Sequence, residues 1–195
     1  MLERWRLCAH GSSQAVLALS LVAFFNQFKP SEPFLVDFLI DVKGFSDKQV
    51  FDDLFNIYVY TQLPCIVFVG IASEVVGNRF VLQLCAVAGV ATVLLTRFGA
   101  PGDLLTQQVT EVTVTFPLAI QYVLPSMLFA VLPPSRQQQG MHCLKAILLF
   151  SNAASALVGE ILRDASFSLY LLFDLSLVGQ VCCLLCSLLV PLPRA

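Results

Sequence analysis

Six apolar runs, separated by short polar segments, make up most of the 195-residue chain. Each run approaches or exceeds the ~20 apolar residues that a helix needs to cross a lipid bilayer. Prolines and glycines stand between the runs, as expected where helices end. The pattern predicts an all-α membrane protein in which residues 1–195 form one bundle of six transmembrane helices, at approximately residues 12–40, 50–76, 80–96, 104–132, 141–162 and 167–190.

The first and fourth runs contain prolines. Pro30 and Pro33 lie in the sequence Lys29-Pro-Ser-Glu-Pro33, so we expect the first helix to break or bend in mid-membrane or near its outer end. Pro117 and Pro125 would bend the fourth helix, which suits a transporter. The basic start before the first run is also typical of a signal peptide, but no convincing cleavage site follows it, so we predict a retained helix.

Composition and charge narrow the class of protein. Hydrophobic residues make up 57% of the chain and charged residues 12%, about half the ~25% of a typical soluble domain, and the mean hydropathy is +0.81. These values argue against a soluble domain and exclude disorder, and the net charge of −2 gives no reason to expect a nucleic-acid partner. The odd number of cysteines, in or beside apolar runs, indicates buried thiols.

The basic residues of the loops slightly favour a cytoplasmic location for both termini. In that orientation the cytoplasmic basic residues are Arg4, Arg6, Arg79, Arg136 and Arg194, against Lys43, Lys48, Arg97 and Arg163 outside. The polar segment 41–49 then lies outside, and its end, Ser46-Asp-Lys-Gln49, is a capping box that opens the second helix.

Polar side chains form a stripe along the fourth predicted helix. At about 100° per residue they fall within an arc of roughly 120°, and they are Gln107, Glu111, Thr115, Gln121 and Tyr122. A polar stripe on an apolar helix has to face the interior of the bundle or water. Two interpretations stay open: the stripe holds helices together through hydrogen bonds, or it lines a substrate path.

Further polar groups stand where they are costly in a membrane. Asn56 and Tyr60 share a side of the second helix, where the tyrosine is suited to stack on a flat ligand or to belong to an interfacial aromatic belt. Lys145 on the fifth helix is placed to face a site or to extend to the cytoplasmic interface. Asp174 has no local partner, which leaves pairing with another helix.

Catalytic motifs are absent from the sequence. It contains no Walker loop, no dinucleotide-binding fingerprint and no HExxH zinc motif, and its Gly11-Ser12 lies far from any setting for a membrane serine nucleophile. We therefore predict no enzymatic activity, no catalytic residue, no cofactor and no metal site.

Several stretches resemble, in order along the chain, the reduced folate and thiamine carriers of solute carrier family nineteen. The most specific is KPSEPFLVDFLID at residues 29–41, which is similar to the family's first-helix signature. Residues 45–76 resemble the first outer loop and second helix, LVGEIL at 157–162 the end of the fifth helix, and PLPRA at 191–195 the exit from the sixth. The resemblance implies the major facilitator fold, in which this chain would form the N-terminal six-helix half.

The resemblance also implies roles for individual residues. Glu111 looks like the charged position of the fourth helix, which is glutamate in thiamine carriers and arginine in folate carriers. The tyrosines that follow in the family are absent, since residues 114–116 are Val-Thr-Phe. Lys145 looks like the family's fifth-helix arginine. From the polar positions on the helices and this resemblance together, the expected substrate-binding residues are Glu111, Gln121, Tyr122, Asn56, Tyr60 and Lys145, with Lys29 and Glu32 at the outer mouth.

The expected function is transport of a vitamin, thiamine or a reduced folate, by alternating access, either by this chain or as a truncated half of such a carrier. The alternative is a non-transporting six-helix fragment that binds a partner protein. By resemblance the default location is the plasma membrane, with an organelle left open. The expected partners are a small-molecule vitamin, the lipid bilayer, and either a second six-helix half or a second copy of the chain.

Overall fold

The computed structural model describes residues 2–190, with side chains from Gln14 onwards. Within that range the chain forms six long helices and no strand, which confirms the predicted all-helical fold. We number them α1 (Leu2–Gln27), α2 (Gln49–Val76), α3 (Asn78–Phe98), α4 (Leu104–Val131), α5 (Pro134–Asp164) and α6 (Leu169–Leu189). Between α1 and α2 the chain makes shorter helical turns at Glu32–Phe34, Leu35–Asp37 and Phe38–Val42.

Five helices of the described part, α2 to α6, are long and apolar enough to cross a membrane. The first predicted span begins at residue 12, and the structure describes side chains only from Gln14 onwards. The predicted exit at residues 191–195 also lies outside the described residues.

At three places the helices differ from the expected ones for a reason connected with proline. The first helix ends at Gln27 instead of continuing to about residue 40, and helical turns resume at Glu32, between Pro30 and Pro33. Helix α4 is interrupted at Val114, because Pro117 has no N–H to donate to the carbonyl four residues earlier. Helix α5 begins at Pro134, well before residue 141, since proline is favourable in a first turn.

Local interactions explain the starts of α2 and α4 and the turn between α2 and α3. Ser46 and Gln49 bond each other reciprocally, with Ser46 N donating to Gln49 Oε1 at 3.0 Å and Gln49 N to Ser46 Oγ at 3.4 Å, so the capping box is confirmed. Asp103 caps α4 by accepting from the hydroxyl of Thr106 and from Thr106 N, the latter at 3.3 Å. The hydroxyl bond, and then the backbone bond, lower the pKa of Asp103. Gly77, at φ +101°, makes the turn from α2 to α3, a conformation that favours glycine.

Helix α1 lies at the centre of the bundle and packs against α4, α5 and α6, while α3 packs between α4 and α6. Helix α2 packs mainly against α3 and α4. The largest cluster of buried apolar side chains has members from all six helices, and those from α1, α3 and α4 include Leu19, Val22, Leu82, Ile120 and Leu124. Much of the surface of α2 and α5 is left exposed.

Candidate functional site

The interruption that follows α1 is held by side chains of two neighbouring helices. Lys29 N donates to Ser155 Oγ of α5 at 3.0 Å, and Ser31 N donates to Ser176 Oγ of α6 at 3.1 Å. A helix break leaves backbone N–H groups without helical acceptors, and inside an apolar bundle such groups need other partners. The two serines supply those acceptors from outside the broken helix.

Two buried amides, Asn26 of α1 and Gln180 of α6, join the end of α1 to α4 and to α6 respectively. Asn26 Nδ2 donates to the carbonyl of Pro117 at 3.1 Å, and Gln180 Nε2 donates to the carbonyls of Phe25 at 3.4 Å and Asn26 at 3.2 Å. Because the donor nitrogens face carbonyls, the orientation of both amides is fixed. Their oxygens consequently accept no hydrogen bond from the described part of the chain. Gly89 of α3 faces Gln180 Oε1 so closely that a Cβ there would overlap it.

A cavity of about 380 Å³ lies between the α1–α2 connection, α2, α3 and α4. Its apolar walls come from the α1–α2 connection, α2 and α4, with Leu35, Phe55 and Leu118 among them. The polar side chains that line it are Glu32, Tyr58, Thr92, Thr96, Thr110 and Glu111. The cavity therefore combines apolar walls with a few converging polar groups, as small-molecule sites do.

Glu111 is the deepest charged group of this cavity. Its side chain is only 4% exposed and accepts a hydrogen bond from Gln107 Nε2, one turn earlier on α4, at 3.4 Å. A carboxylate in such surroundings needs a compensating partner. One long hydrogen bond leaves the other carboxylate oxygen available to a ligand.

Two further cavities adjoin the first, and the Lys29–Glu32 segment borders both. One, of about 80 Å³, is lined by Lys29, Glu32, Gly89 and Pro117 among others. The other, of about 370 Å³, is lined by Lys29, Glu32 and, from α5, Asn152 and Ser155. Glu32 thus borders all of these cavities, and Lys29 borders the two smaller ones.

The structure brings three of the predicted site residues together: Glu111, Glu32 and Lys29 line these adjoining cavities. The others lie outside the linings described above. Tyr60 is 77% and Tyr122 53% exposed, Lys145 is exposed and Gln121 is partly exposed. Asn56 is exposed, and its Nδ2 donates to the carbonyl of Asp52 at 2.7 Å.

Sequence reasoning passed over Tyr58 and the three threonines of the cavity. Tyr58 and Tyr60 are two residues apart, so they point to nearly opposite sides of α2, and no feature of the sequence distinguishes which of the two sides faces the cavity. Thr92 and Thr96 are four residues apart on α3 and share one face. That spacing was a usable signal, but a threonine in an apolar helix is too common to stand out.

Ion pairs connect the helices beside the cavities. Arg97 Nε donates to Asp174 Oδ1 at 3.0 Å, so Asp174 pairs with another helix, which was the pairing that the sequence left open. The guanidinium of Arg97 also lies 4.3 Å from the centroid of the Tyr170 ring. Arg163 Nη1 lies 3.2 Å from Asp37 Oδ2. These contacts fasten α3 to α6 and α5 to the segment after α1.

Lys43 caps the end of α3 from the α1–α2 connection. Its Nζ donates to the carbonyls of Arg97 and Gly99, and its own carbonyl accepts from Gly102 N at 2.9 Å. Burial lowers the pKa of Lys43, and the nearby charge of Arg97 lowers it further. The connection between α1 and α2 is thereby fixed against the connection between α3 and α4.

Comparison with known proteins gives consistent matches along the chain. A profile of the family described as reduced folate carrier matches residues 12–195. Human thiamine transporter 2 is 25% identical over 178 residues, which cover 90% of this chain and 36% of that protein. The rat reduced folate transporter is 25% identical over 180 residues, 92% of this chain and 35% of that protein.

Human thiamine transporter 1 is 23% identical over 177 residues, which cover 90% of this chain and 32% of that protein. The chain thus spans about a third of the length of the curated relatives that it matches.

Proposed function

We propose, because the chain belongs to the reduced folate carrier family, that it takes part in carrying a vitamin across a membrane. Members of this family are multi-pass membrane carriers rather than enzymes. The observation that carries the proposal is the buried carboxylate of Glu111 in a cavity shared with Glu32. The named functions of the relatives favour a carrier over a fragment that only binds a partner protein.

The lining of the cavity favours a ligand that donates hydrogen bonds. Thr96 Oγ1 donates to the carbonyl of Thr92 at 2.9 Å, and Thr110 Oγ1 donates to the carbonyl of Thr106 at 2.9 Å. Hydroxyls that use their proton within their own helix present only lone pairs to a ligand. Together with the carboxylates of Glu111 and Glu32, they form a lining rich in acceptors.

Charge favours the same class of ligand. The adjoining cavities have two carboxylates, Glu32 and Glu111, against one ammonium, Lys29. An anion in a site of low dielectric constant needs opposite charge, which carboxylates do not supply. We therefore propose a cationic or neutral vitamin, such as thiamine, in preference to a dianionic folate.

A second bundle would complete the site in this proposal. Asn152 of α5 borders a cavity and is exposed, as are Lys145 and Asn56, and lipid does not satisfy polar groups at membrane depth. We propose that the chain corresponds to the N-terminal half of a major facilitator transporter. Transport would then proceed by rocking of two bundles around a midplane site. Gln121, Tyr122 and Tyr60 would serve the site only where that second bundle brings a ligand to them.

The second bundle would be either another six-helix half or a second copy of this chain. Chemical crosslinking of the purified chain in mild detergent separates the two. A dimer is expected if two copies assemble, whereas monomer alone would contradict that version of the proposal.

Ligand-induced thermal shift tests the proposed function on the chain itself. We expect thiamine to raise the midpoint of unfolding with a saturable dependence on concentration, and folate or a reduced folate to do so less, because ligands that bind only the folded state stabilise it. Absence of saturable binding or uptake of all three compounds would overturn the proposal. A larger rise of the unfolding midpoint with folates than with thiamine would overturn the proposal that the ligand is cationic or neutral.

Orientation and location are tested in intact cells. We propose a plasma-membrane location with both termini inside, so a cysteine placed at Ser46 should react with an impermeant thiol reagent and one at Gln138 should not. The reverse pattern of labelling would contradict this orientation.

A further inference from the structure

We propose that Ser155 and Ser176 are positioning residues that fix Lys29 and Glu32 in the candidate site. Neither serine side chain carries charge, and each acts through a backbone N–H of the interrupted segment. The inference rests on the proposed function to the extent that Lys29 and Glu32 face a ligand.

The two serines contact the interrupted segment from two different helices, α5 and α6. Ser155 of α5 accepts from Lys29 N at 3.0 Å, a donor that also lies 3.0 Å from the carbonyl of Gln27. Ser176 of α6 accepts from Ser31 N at 3.1 Å and lies 2.8 Å from Ser31 Oγ. Both serines are buried, and Ser155 also borders the cavity that Asn152 lines.

A glycine one turn beyond each serine allows the close approach of the backbone. A Cβ at Gly159 of α5 would lie 2.8 Å from the carbonyl oxygen of Pro30, and a Cβ at Gly179 of α6 would lie 2.7 Å from that of Phe28. Such contacts are too short for any side chain, so each helix meets the interrupted segment with a serine hydroxyl and a bare backbone. The same arrangement on α5 and α6 forms a two-sided cradle around residues 28–31.

The cradle determines where the charged side chains point. Glu32 N donates to the carbonyl of Lys29 at 3.0 Å, so the residues between them form one tight turn. With Lys29 N held by α5 and Ser31 N held by α6, the turn has little freedom to rotate. Its two charged side chains are thereby directed to the adjoining cavities.

Amide hydrogen exchange of the full chain tests the cradle without any ligand. We expect Ser155→Ala and Ser176→Ala to speed exchange in peptides that cover residues 27–34 by about tenfold, since each removes an acceptor of a buried N–H. Ser187→Ala is the matched control, because this buried serine of α6 donates to the carbonyl of Leu184 in its own helix at 2.6 Å. Exchange equal to that of the unmodified chain in both cradle variants would overturn the inference.

Binding of thiamine tests whether the cradle positions Glu32. We expect Ser176→Ala alone to weaken thiamine binding about fivefold. In a chain that already carries Glu32→Gln, the same substitution should weaken binding no further, because the effects of two residues that act through one another do not add. Fully additive losses would assign Ser176 a merely structural role and overturn the inference. If the unmodified chain binds no vitamin, the proposed function fails, while the exchange experiment still decides the cradle.

Folding of the alanine variants is checked by size-exclusion chromatography. Should an alanine variant fail to fold, Ser155→Thr and Ser155→Val compare equal volumes with and without a hydroxyl. We expect amide exchange in residues 27–34 to be slower in Ser155→Thr than in Ser155→Val. Equal exchange rates in these two variants would contradict the proposal.

Discussion

Helices α2 and α3 are adjacent and both apolar, yet they are buried to very different extents. In the most apolar stretch of α3, 44% of the residues are buried, against 11% in α2. Helix α3 packs between α4 and α6. In α2, by contrast, Cys65 and Val69 are the buried residues from Phe55 to Val76. Apolar composition therefore places both helices in the membrane, but does not say which of them is covered by protein.

Small residues distinguish the covered helix from the exposed one. Ala86 and Gly89 of α3 are buried along with Cys85 and Thr92, and small side chains let helix backbones approach closely in a membrane. Helix α2 also contains Gly70, but among the described residues nothing lies within 4 Å of a Cβ placed there. A glycine in an apolar helix therefore does not by itself indicate close packing.

Adding one methyl group to each helix gives the largest expected difference in stability. Gly89→Ala puts a Cβ onto Gln180 Oε1 and forces Gln180 away from the carbonyls that it binds. We expect a loss of about 1–3 kcal/mol in the free energy of unfolding, typical of overpacked sites. Thermal or SDS-induced unfolding of the purified chain measures it.

Gly70→Ala is the matched control on the exposed helix, where the free energy of unfolding should stay the same or rise slightly because alanine favours helix. Equal destabilisation by both substitutions would contradict the difference in packing between α2 and α3.

A smaller effect is expected from the ion pair that joins α3 to α6. Asp174 is about half exposed, and pairs of this kind contribute roughly 0–1 kcal/mol. Asp174→Asn should therefore lower the free energy of unfolding by no more than about 1 kcal/mol, and Asp164→Asn, on exposed Asp164 of α5, serves as its control. A loss above about 3 kcal/mol would show that the pair is desolvated in the membrane.

The smallest effect concerns Lys43, which caps α3. Its pKa lies below the ordinary 10.5 because of burial and the charge of Arg97, so the unfolded chain binds this proton more tightly. Stability should consequently rise with pH between the lowered pKa and 10.5. Unfolding midpoints measured from pH 8 to 10.5 should show this rise, and Lys43→Met should remove it. A rise of equal size in Lys43→Met would assign it to other groups.

The sequence predicted the positions of the helices better than it predicted which face of each helix is buried. Six apolar runs and their turn residues placed the helices, and the capping box at Ser46 placed the start of α2. The interruption at Val114 was harder to predict, because the sequence does not distinguish the effect of Pro117 from that of Pro125. Pro125 lies within continuous helix. The two differ in surroundings: the carbonyl of Pro117 is bound by Asn26 of another helix.

The candidate site was predictable in part from polar groups that are costly in the membrane. Such groups included Glu111, which borders the cavities, but also Asn56 and Lys145, which are exposed. A sequence does not show which side of a helix meets another helix, so tertiary packing alone separates Glu111 from those two. Lys29 and Glu32 were expected at the outer mouth through the resemblance of residues 29–41 to a family signature, and both border the adjoining cavities.

The central claim is that the carboxylate of Glu111 faces a cationic vitamin. The dissociation constant of thiamine, measured by equilibrium binding to the purified chain, should increase more than about tenfold in Glu111→Gln, equivalent to ~1.4 kcal/mol. Glu74→Gln, on exposed Glu74 of α2, should leave it unchanged, and Glu111→Arg should shift preference towards folates. Unchanged thiamine affinity in Glu111→Gln, with tight folate binding by the unmodified chain, would contradict the claim and make Glu111 a structural residue.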